Sequence, residues 1–421
     1  MNRKIFVPRQ TISIRWRDIF YALIQLPFKC GSGQVVKRWE QKFTERVGVP
    51  YAVSFISERA GTYFVLKVLR EMNGWELPEI ICPSYTFFSV PWIARLAGWR
   101  VSLADVSEGD MNLDPKSLER QINSSTRAVI VSHLNGKPAN MPEIARICKD
   151  HRLRLFEDCA HVSGLYAHDK SVGSWDIGCF SFGDGKNLGA FQGGMVTLSD
   201  GRLAEALKNM VSEFPEQSIN QIARKILSAS FLKLITTSFL YPLVLYPLTR
   251  WYGYLSSDNR KRDFLNFMES TKEDNLAYKF SDLQAQVGLN QLTLVDQNNE
   301  ICRANSRAFR QSLSKKTLSS MMLSWDVDEP HTMLHNAIVL TRNMEIVKRS
   351  LKMGIDVRLD YCSNCRNLPG MEDLPWEDKV GKRMDGRIFF IPNHSGISPK
   401  KSSIMASYLA DVFTKNSIKK I

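Results

Sequence analysis

Two acids and one lysine stand out in the stretch from Leu155 to Asp200. Glu157 and Asp158 follow a short apolar run, and Lys186 lies in the turn Gly-Asp-Gly-Lys-Asn (183–187), between two further apolar runs. The apolar runs predict buried strands, and ligands of α/β sheets bind at the carboxyl ends of such strands. We therefore expect a carboxylate and an amine to face one ligand site.

The chemistry open to Lys186 depends on its surroundings. A lysine in a turn is usually a solvated surface group, and this interpretation stays open for Lys186 taken alone. An amine that condenses with an aldehyde must instead be partly desolvated, near an acid that keeps a pyridine nitrogen protonated. Asp158 is a candidate for that acid, because a carboxylate beside the nitrogen lets a pyridoxal 5′-phosphate (PLP) ring act as an electron sink.

Three strings occur in order along the chain: FEDCAH (156–161), GSWDIGCFSFGDGKNLGAFQGG (173–194) and FSDLQAQVGLNQL (280–292). Together they resemble the sugar aminotransferases of the DegT/DnrJ/StrS type, which are fold-type I PLP enzymes. The resemblance covers residues 34–292 well and the remainder loosely. It implies an α/β fold with a mostly parallel central sheet flanked by helices, and a smaller C-terminal α+β domain.

The resemblance also implies which residues hold the cofactor. Lys186 would condense with its aldehyde and then move the proton of the reaction, Asp158 would keep the ring nitrogen protonated, and Phe87 would stack on the ring. The other implied cofactor-binding positions are Ser57, Glu58 and Arg59 in a phosphate-binding turn, Ser181 at the phosphate, His161 near the ring hydroxyl, and Lys279 at the phosphate of the neighbouring subunit.

Some of these assignments leave an alternative open. Residues 57–59 are also compatible with an ordinary polar helix cap, and His133 with a histidine satisfied inside its own loop. Glu58 stands where glycine is usual in the family, and a carboxylate there repels phosphate unless it points away or pairs with Arg59. Ala277 replaces the asparagine of the family's cross-subunit turn. These two departures favour the alternative of a catalytically weakened member, acting as a sensor or as a membrane-associated partner in polysaccharide assembly.

Length and charge bound the organisation of the chain. Its 421 residues exceed one typical core, and its net charge of +13 (56 basic minus 43 acidic residues) favours anionic partners. Nucleic acid is disfavoured, since no known binding motif accompanies the charge. We expect an N-terminal arm over 1–33, a large PLP-binding domain over 34–275 with a divergent apolar helical insert at about 215–272, and a linking helix with a small C-terminal domain over 276–421.

The cysteines favour a reducing compartment. Eight of them are scattered through the chain, and we recognise no secretory signal at its N-terminus, so we expect reduced thiols and a cytoplasmic protein. Cys362 and Cys365 form a CxxC pair, but no second pair or neighbouring histidine completes a zinc set. We therefore expect no metal site.

Sixteen uncharged residues lie between Lys233 and Arg250 and are followed by Trp251. With two prolines they are marginal for a membrane span. Basic and aromatic neighbours are compatible with a peripheral contact of residues 230–255 with the anionic inner face of a membrane. The alternative is a helical excursion that packs on a dimer partner.

These expectations combine into one function. The sequence predicts a PLP-dependent aminotransferase (transaminase) that transfers an amino group, from glutamate or glutamine, to a nucleotide-linked keto sugar in polysaccharide or sugar-conjugate biosynthesis. The resemblance implies a homodimer with shared active sites. The sugar, the aminated carbon and the pathway stay open. The prediction requires that Lys186 and Asp158 face the same cavity.

Overall fold

The computed structural model describes residues 4–28, 33–255, 268, 271–314, 322–323, 335–339, 344–359, 362–368, 371, 374 and 379–416. Cys30 and part of the predicted insert at 215–272 lie outside these residues. The seven cysteines inside them are buried free thiols.

The helices, numbered in chain order, are α1 (Trp16–Gln25), α2 (Gln34–Val47), α3 (Glu58–Met72), α4 (Ser89–Leu96), α5 (Pro115–Gln121), α6 (Met141–Asp150), α7 (Gly201–Ser212), α8 (Ile219–Ile235), α9 (Tyr246–Leu255), α10 (Glu273–Leu276), α11 (Asp282–Leu292), α12 (Val295–Gln311), α13 (Met344–Lys352), α14 (Val380–Met384) and α15 (Pro399–Asn416). Short helical turns cover Leu134–Gly136 and Cys365–Asn367, and a π-helical turn covers Tyr241–Leu245.

The strands are β1 (Tyr51–Phe55), β2 (Glu79–Pro83), β3 (Tyr85–Thr86), β4 (Arg100–Ala104), β5 (Thr126–Ser132), β6 (Arg154–Asp158), β7 (Tyr166–Ala167), β8 (Lys170–Ser171), β9 (Ile177–Ser181), β10 (Gly194–Leu198), β11 (Met322–Leu323), β12 (His335–Val339), β13 (Arg358–Leu359), β14 (Ser363–Asn364) and β15 (Ile388–Pro392).

Seven strands form the large sheet, in the order β1-β10-β9-β6-β5-β2-β4. Strand β10 runs antiparallel to both neighbours, and the other six strands share one direction. This topology confirms the prediction of a mostly parallel sheet. The shared direction brings the last residues of β5, β6 and β9, which are Ser132, Asp158 and Ser181, to one edge.

Helices cover both faces of the large sheet because the side chains of each strand alternate between two apolar layers. One layer joins Val53, Ile130 and Phe156 to helices α3, α4 and α7. On the other face, Val129 and Leu155 pack against α5 and α6, and Ala52 and Phe180 pack against α2. Each fully buried aliphatic or aromatic side chain stabilises the fold by about 1.5–3 kcal/mol, so the sheet edge that carries the polar residues rests on a rigid base.

A second sheet lies in the C-terminal part, with antiparallel strands in the order β11-β12-β15-β13. Its apolar cluster includes Ile346, Phe389 and Met405, together with Val7 from near the start of the chain. Val7 pairs with Ile355 in a parallel bridge, so the first described residues lie along this smaller sheet. The predicted three-part division of the chain stays a prediction.

The smaller sheet region is tied to the large sheet at two places near the polar edge. Strand β14 pairs with β3, where Ser363 lies opposite Thr86. The carboxylate of Asp105, directly after β4, accepts hydrogen bonds from the amides of Lys379, Val380 and Gly381 at 2.8–3.0 Å. These contacts close one side of the edge.

The segment from α8 to α9 is helical. Ser218 begins α8 with a capping box, in which its hydroxyl accepts from the Gln221 amide and the Gln221 side chain accepts from the Ser218 amide. Tyr241 and Tyr246 are buried between this segment and the rest of the chain. Among the described residues, no helix combines the length and the apolar character that a membrane crossing requires.

Candidate active site

A cavity of about 240 Å³ lies at the carboxyl edge of the large sheet. Asp158 comes from the end of β6 and Lys186 from the turn between β9 and β10, and both line this cavity. The requirement that the two side chains share one cavity is met. The remaining lining residues are Glu58, Arg59, Thr86, Phe87, Ser89, Ser132, His133, Leu134, Ala160, His161 and Ser181.

Asp158 is oriented by two hydrogen-bond donors. Its Oδ2 accepts from Ser132 Oγ at 3.1 Å and its Oδ1 from the Ala160 amide at 3.1 Å. Ser132 Oγ is in turn 2.8 Å from Thr86 Oγ1, which makes Thr86 the outer member of a relay. This buried relay holds the carboxylate in one rotamer, pointing at the cavity.

Lys186 is presented by a tight turn. Its amide donates to the Gly183 carbonyl at 3.2 Å, and Gly185 between them has φ +78°. Such a positive φ costs glycine little and other residues much. At the far end of the loop, Gly193 has φ +114°, and a Cβ there would collide with the ring of Phe280. These glycines therefore fix the path of the loop that carries the amine.

The N-terminus of α3 forms a second wall. Ser57 caps the helix, because its Oγ accepts from the Ala60 amide at 3.2 Å. This is the ordinary cap that the sequence left open for residues 57–59, and the Ser57 side chain does not line the cavity. Glu58 and Arg59 do line it, so this wall carries one acid and one base.

Glu58 is turned inward and not toward solvent. Its Oε1 accepts from Thr62 Oγ1 at 2.8 Å, one turn along α3. Burial, and next the negative charge of Asp158, raise the pKa of Glu58 to about 7, against the opposing effects of Thr62, Arg59 and Lys186. The cavity therefore contains an acid that titrates near neutral pH.

His133 belongs to the structural network behind the cavity wall. Its Nδ1 accepts from the Ala139 amide at 3.1 Å, so Nε2 carries the proton and donates to Glu157 Oε2 at 3.2 Å. Glu157 also accepts from the amides of Gly173 and Trp175. With Cys159 these residues form a buried group of possible metal ligands, but both ring nitrogens of His133 are already engaged.

His161 faces the cavity from the other side of Asp158. Its Nδ1 accepts from the Asn135 amide at 3.2 Å, and Asn135 adopts a left-handed conformation with φ +55°. The hydrogen bond assigns the lone pair to Nδ1 and the ring proton of the neutral histidine to Nε2.

Lys279 lies outside this cavity. It lines a separate cavity of about 610 Å³, and its Nζ is 3.5 Å from Glu216 Oε1. The sequence assigned it to the site of a neighbouring subunit, and that assignment stays a prediction.

Sequence reasoning missed Ser132 and Thr86. They are 46 residues apart in the chain, and their hydroxyls are in contact. Ser132 reaches Asp158 because β5 is paired in register with β6, with Ser132 opposite Asp158. The available signal was weak: a polar residue ends the apolar strand 126–132, at the edge where ligands bind.

The comparisons with known proteins address the same region. Residues 28–227 match the model of the DegT/DnrJ/EryC1/StrS aminotransferase family. Over these residues, which are just under half of the chain, the sequence is similar to that family. The matched segment includes Lys186 and Asp158, as well as the acid at position 58.

Two curated relatives match parts of the same region. A UDP-N-acetyl-3-dehydro-alpha-D-glucosamine 3-aminotransferase of Acidithiobacillus ferrooxidans is 36% identical over 165 residues, which are 39% of this chain and 44% of the relative. The spore coat polysaccharide biosynthesis protein SpsC of Bacillus subtilis is 32% identical over 177 residues, 42% of this chain and 45% of the relative. The matches thus span less than half the length of these relatives.

Solved structures resemble the whole chain. PseC of Helicobacter pylori, an aminotransferase involved in pseudoaminic acid biosynthesis, has a TM-score of 0.76 at 16% identity, covering 97% of this chain and all of that one. DesI, solved with its TDP-sugar product, has a TM-score of 0.73 at 21% identity, covering 99% of this chain and 94% of that one. At such identities the likeness establishes the fold, and it confirms the predicted fold class.

The DegT/DnrJ/EryC1/StrS family is one of PLP-dependent enzymes, and the polar groups of the cavity fit that cofactor. One amine, Lys186, is available for the aldehyde, and one hydrogen-bonded carboxylate, Asp158, for the ring nitrogen. Phe87 offers a flat apolar face, and Arg59 at the start of α3 offers charge for a phosphate. Glu58 is the member of this set that opposes an anion.

Proposed function

We propose that the chain is a PLP-dependent aminotransferase that delivers an amino group to a nucleotide-linked keto sugar, with glutamate or glutamine as the donor. The observation that carries the proposal is the common cavity of Lys186 and Asp158, inside the segment that matches the family. The names of the relatives support the substrate class, since they include a UDP-sugar 3-aminotransferase, a TDP-sugar enzyme and a polysaccharide biosynthesis protein.

The cofactor would be held by residues from strands β6 and β9, from helix α3 and from two connecting segments. Asp158 would receive the ring nitrogen, Phe87 would cover a ring face, and His161 would lie near the ring hydroxyl. Ser181 and Arg59, with the amides at 57–59, would surround the phosphate. When bound, PLP supplies an electron sink that stabilises negative charge on the substrate carbon.

The chain's own residues would then do three things. Lys186 Nζ would take the proton from the donor's α-carbon as a general base and deliver it to the C4′ carbon of PLP as a general acid. Asp158, positioned by Ser132, would hydrogen-bond the ring nitrogen and keep it protonated. Phe87 and Leu134 provide apolar surface that excludes water from the reacting atoms.

The test of this proposal uses purified full-length protein with PLP. Wild type should convert a nucleotide keto sugar to the amino sugar with glutamate or glutamine as the donor, detected by the mass of the product. Lys186→Ala should lower the rate by about 10²–10⁴-fold or more, because it removes the acid–base group, and should abolish the visible band of the lysine-bound cofactor.

Lys170→Ala is the matched control, since Lys170 is exposed and packs over the ring of Trp175, outside the cavity. Its spectrum and rate should equal those of wild type. A wild-type protein that binds PLP through Lys186 but transfers no amino group to any keto sugar would favour the weakened family member. No visible band in wild type would contradict the enzyme altogether.

We also propose a homodimer in which Lys279 reaches the cofactor phosphate of the partner. Its position outside the cavity of its own chain supports a role in trans. Lys279→Ala should lower PLP affinity about tenfold, the usual effect of one charge-assisted hydrogen bond.

Mixed dimers distinguish the two arrangements. A dimer of one Lys186→Ala chain and one Lys279→Ala chain contains, if Lys279 acts in trans, one site with neither defect. Half of the wild-type activity should then return on mixing. If a verified mixed dimer regains no activity, Lys279 acts within its own chain.

The exposed apolar residues of α1, α8 and 239–251 form a face that we propose contacts an anionic membrane from the cytoplasmic side. On α8 the exposed stripe is Leu227, Phe231 and Leu234, and it continues into Phe239 and Trp251, which are 74% and 70% exposed. Helices α1 and α8 pack together, and α1 adds Phe20 and Ile24, with Phe28 just beyond its end.

The charge of this face favours contact with anionic lipid rather than with another protein. Residues 217–251 contain four basic side chains and no acid. The only acid of residues 4–28 is Asp18, which is buried and within 3.0 Å of Arg15 and 3.8 Å of Arg17. Apolar side chains beside unbalanced basic ones are the pattern of interfacial helices on anionic lipid.

Flotation with phosphatidylcholine vesicles, with and without phosphatidylglycerol, tests this contact. Wild type should float only with the anionic vesicles, and the double variant Phe231→Glu/Phe239→Glu should not float. Leu77→Glu is the control, because Leu77 is exposed elsewhere, and it should behave as wild type. If wild type stays unbound, the contact is wrong. If the double variant instead turns a dimer into a monomer without lipid, the face belongs to the partner subunit.

A further inference from the structure

Glu58 is the residue of the cavity that the proposed reaction leaves without a task. It is the first residue of α3, and its side chain also borders a small void below the cavity, together with Phe156 and Cys179. The half-buried carboxyl lies among the groups that would surround the cofactor, and Thr62 Oγ1 donates to it at 2.8 Å. An acid in this place influences the charge that any anion meets.

Charged and titratable groups reach Glu58 from every side. Arg59 comes from its own helix, Asp158 and Cys179 from the sheet, and Lys186 from the loop above. His133 and His161 line the opposite wall of the cavity, where each has a ring nitrogen that accepts from an amide. With Glu58 ionised, two carboxylates balance Arg59 and Lys186; with Glu58 protonated, one positive charge is left over.

We propose that Glu58 admits the cofactor phosphate only as the neutral acid, so that binding of the cofactor is accompanied by uptake of a proton at Glu58. The inference rests on the proposed function, because it names a role for this side chain toward PLP. It makes cofactor loading sensitive to pH near neutrality, at a position where the family usually has a glycine that cannot titrate.

The physical reason is electrostatic. A phosphate near α3 carries about −1.5 to −2 charges at neutral pH, and a half-buried carboxylate beside it is a like charge in a low-dielectric site. Protonation removes this repulsion and leaves Arg59 and Lys186 in excess over Asp158. The pKa of Glu58, raised to about 7 by burial and by Asp158, means that the required proton is available at neutral pH and scarce in alkali.

Affinity for the cofactor should fall as the pH rises. Below the pKa of Glu58 the acid is already neutral and affinity is highest. As pH rises through about 7, each binding event must first restore the proton, and the dissociation constant rises by up to about tenfold per pH unit. The rise ends once pH exceeds the pKa that Glu58 has in the complex.

The experiment uses the full chain and 4′-deoxypyridoxine 5′-phosphate, which lacks the aldehyde and so removes the condensation with Lys186 from the measurement. Its dissociation constant is measured by calorimetry between about pH 6 and pH 9, in two buffers of different ionisation heat, so that proton uptake is obtained as well. The controls are Glu58→Gln, which has nearly the same shape and does not titrate, and Glu58→Gly, which introduces the usual family residue.

For wild type we expect a dissociation constant that rises about tenfold or more between pH 6.5 and pH 8.5, with proton uptake on binding. The Gln and Gly variants should lack this part of the rise and keep only what the ligand's own phosphate and ring contribute. Thr62→Val should move the wild-type midpoint to higher pH, because it removes a hydrogen bond that favours the ionised carboxyl.

Equal pH dependence and equal proton uptake in wild type and Glu58→Gln would overturn the inference while leaving the proposed function intact. Failure of wild type to bind either this analogue or PLP at any pH would instead overturn the proposed function. Circular dichroism checks that both Glu58 variants are folded. If either fails to fold, the shift of the midpoint in Thr62→Val tests the inference instead.

Discussion

Asp158 accepts hydrogen bonds from Ser132 on the neighbouring strand and from the amide of Ala160. These two donors fix the orientation of its carboxylate. Ser132 Oγ bonds its Oδ2, and Thr86 Oγ1 bonds Ser132 in turn. The hydroxyl of Ser132 positions the carboxylate that we propose contacts the ring nitrogen. Its removal should therefore alter the strength of the contact to the ring nitrogen more than the contact to the substrate.

Ser132→Ala should weaken PLP binding about tenfold, because one hydrogen bond to a charged group contributes about 1.5 kcal/mol or slightly more. The KM for the sugar should stay near the wild-type value while kcat falls. Titration of PLP fluorescence and steady-state kinetics measure the two effects, and Ser132→Thr should restore part of the affinity.

Ser102→Ala is the control for this substitution. Ser102 Oγ is buried in β4 and has no hydrogen-bond partner among the described residues. The variant should bind PLP as wild type does. If Ser132→Ala and Ser102→Ala behave alike, the relay from Thr86 to Asp158 has no influence on the cofactor.

At the scale of single elements, the string FSDLQA owes its composition to helix capping. Ser281 and Gln284 form a capping box at the start of α11. Asp282 turns to a different helix: its carboxylate accepts from the amides of Gly33, Val35 and Val36 at 2.9–3.0 Å, which are otherwise unpaired donors at the start of α2. One acid therefore anchors α2 to α11.

Asp282→Ala should lower the free energy of unfolding by about 2–3 kcal/mol, since three amides lose a charged acceptor. Asp282→Asn should cost less, because its remaining oxygen still accepts. The midpoint of urea unfolding, read with an unchanged slope, measures both.

Asp150→Ala provides the comparison, because the ion pair of Asp150 with Arg146 is more than half exposed. Such surface pairs contribute about 0–1 kcal/mol. An Asp282→Ala midpoint as close to wild type as that of Asp150→Ala would contradict the anchoring role.

At the scale of the whole molecule, the smaller sheet region is held against the site by Asp105. Burial by itself would raise the pKa of Asp105, but the amides of Val380, Gly381 and Lys379 outweigh it and leave the pKa below its ordinary value. A folded-state pKa below the unfolded one means that the stabilisation is present above about pH 4 and is lost as pH falls through the folded value.

We expect wild type to keep high protection of amides 379–381 against hydrogen exchange at neutral pH and to lose it in acid, as the pH falls through the lowered pKa of Asp105. Asp105→Asn should already show low protection at neutral pH, with little further change in acid. Protection factors by mass spectrometry provide the measurement. Strong protection of these amides in Asp105→Asn at neutral pH would show that other contacts hold the two parts together.

The smaller sheet region also closes one side of the cavity. Strand β14 pairs with β3 beside Phe87, and Cys362 and Phe390 of the smaller region pack in one apolar cluster with Tyr85 and Phe87. The aromatic ring proposed to cover the cofactor is thus supported by residues almost three hundred positions away in the chain.

By itself the sequence determined the elements and the chemistry of the central pair. Short apolar runs ending in Asp158 and Ser181 specify buried strands, and glycines at 183, 185 and 193 specify the loop that presents Lys186. Both signals are local, because strand periodicity and backbone freedom depend on neighbouring residues only.

The tertiary structure decided the arrangement around that pair. Ser132 meets Asp158 through strand register, Glu58 meets Asp158 because α3 packs across the sheet, and Lys279 lies in another cavity of the same chain. None of these contacts has a sequence signature, because each depends on how elements distant in the chain pack. The neutral-range acidity of Glu58 follows from that packing alone, since burial and a neighbouring carboxylate, and not residue type, set its pKa.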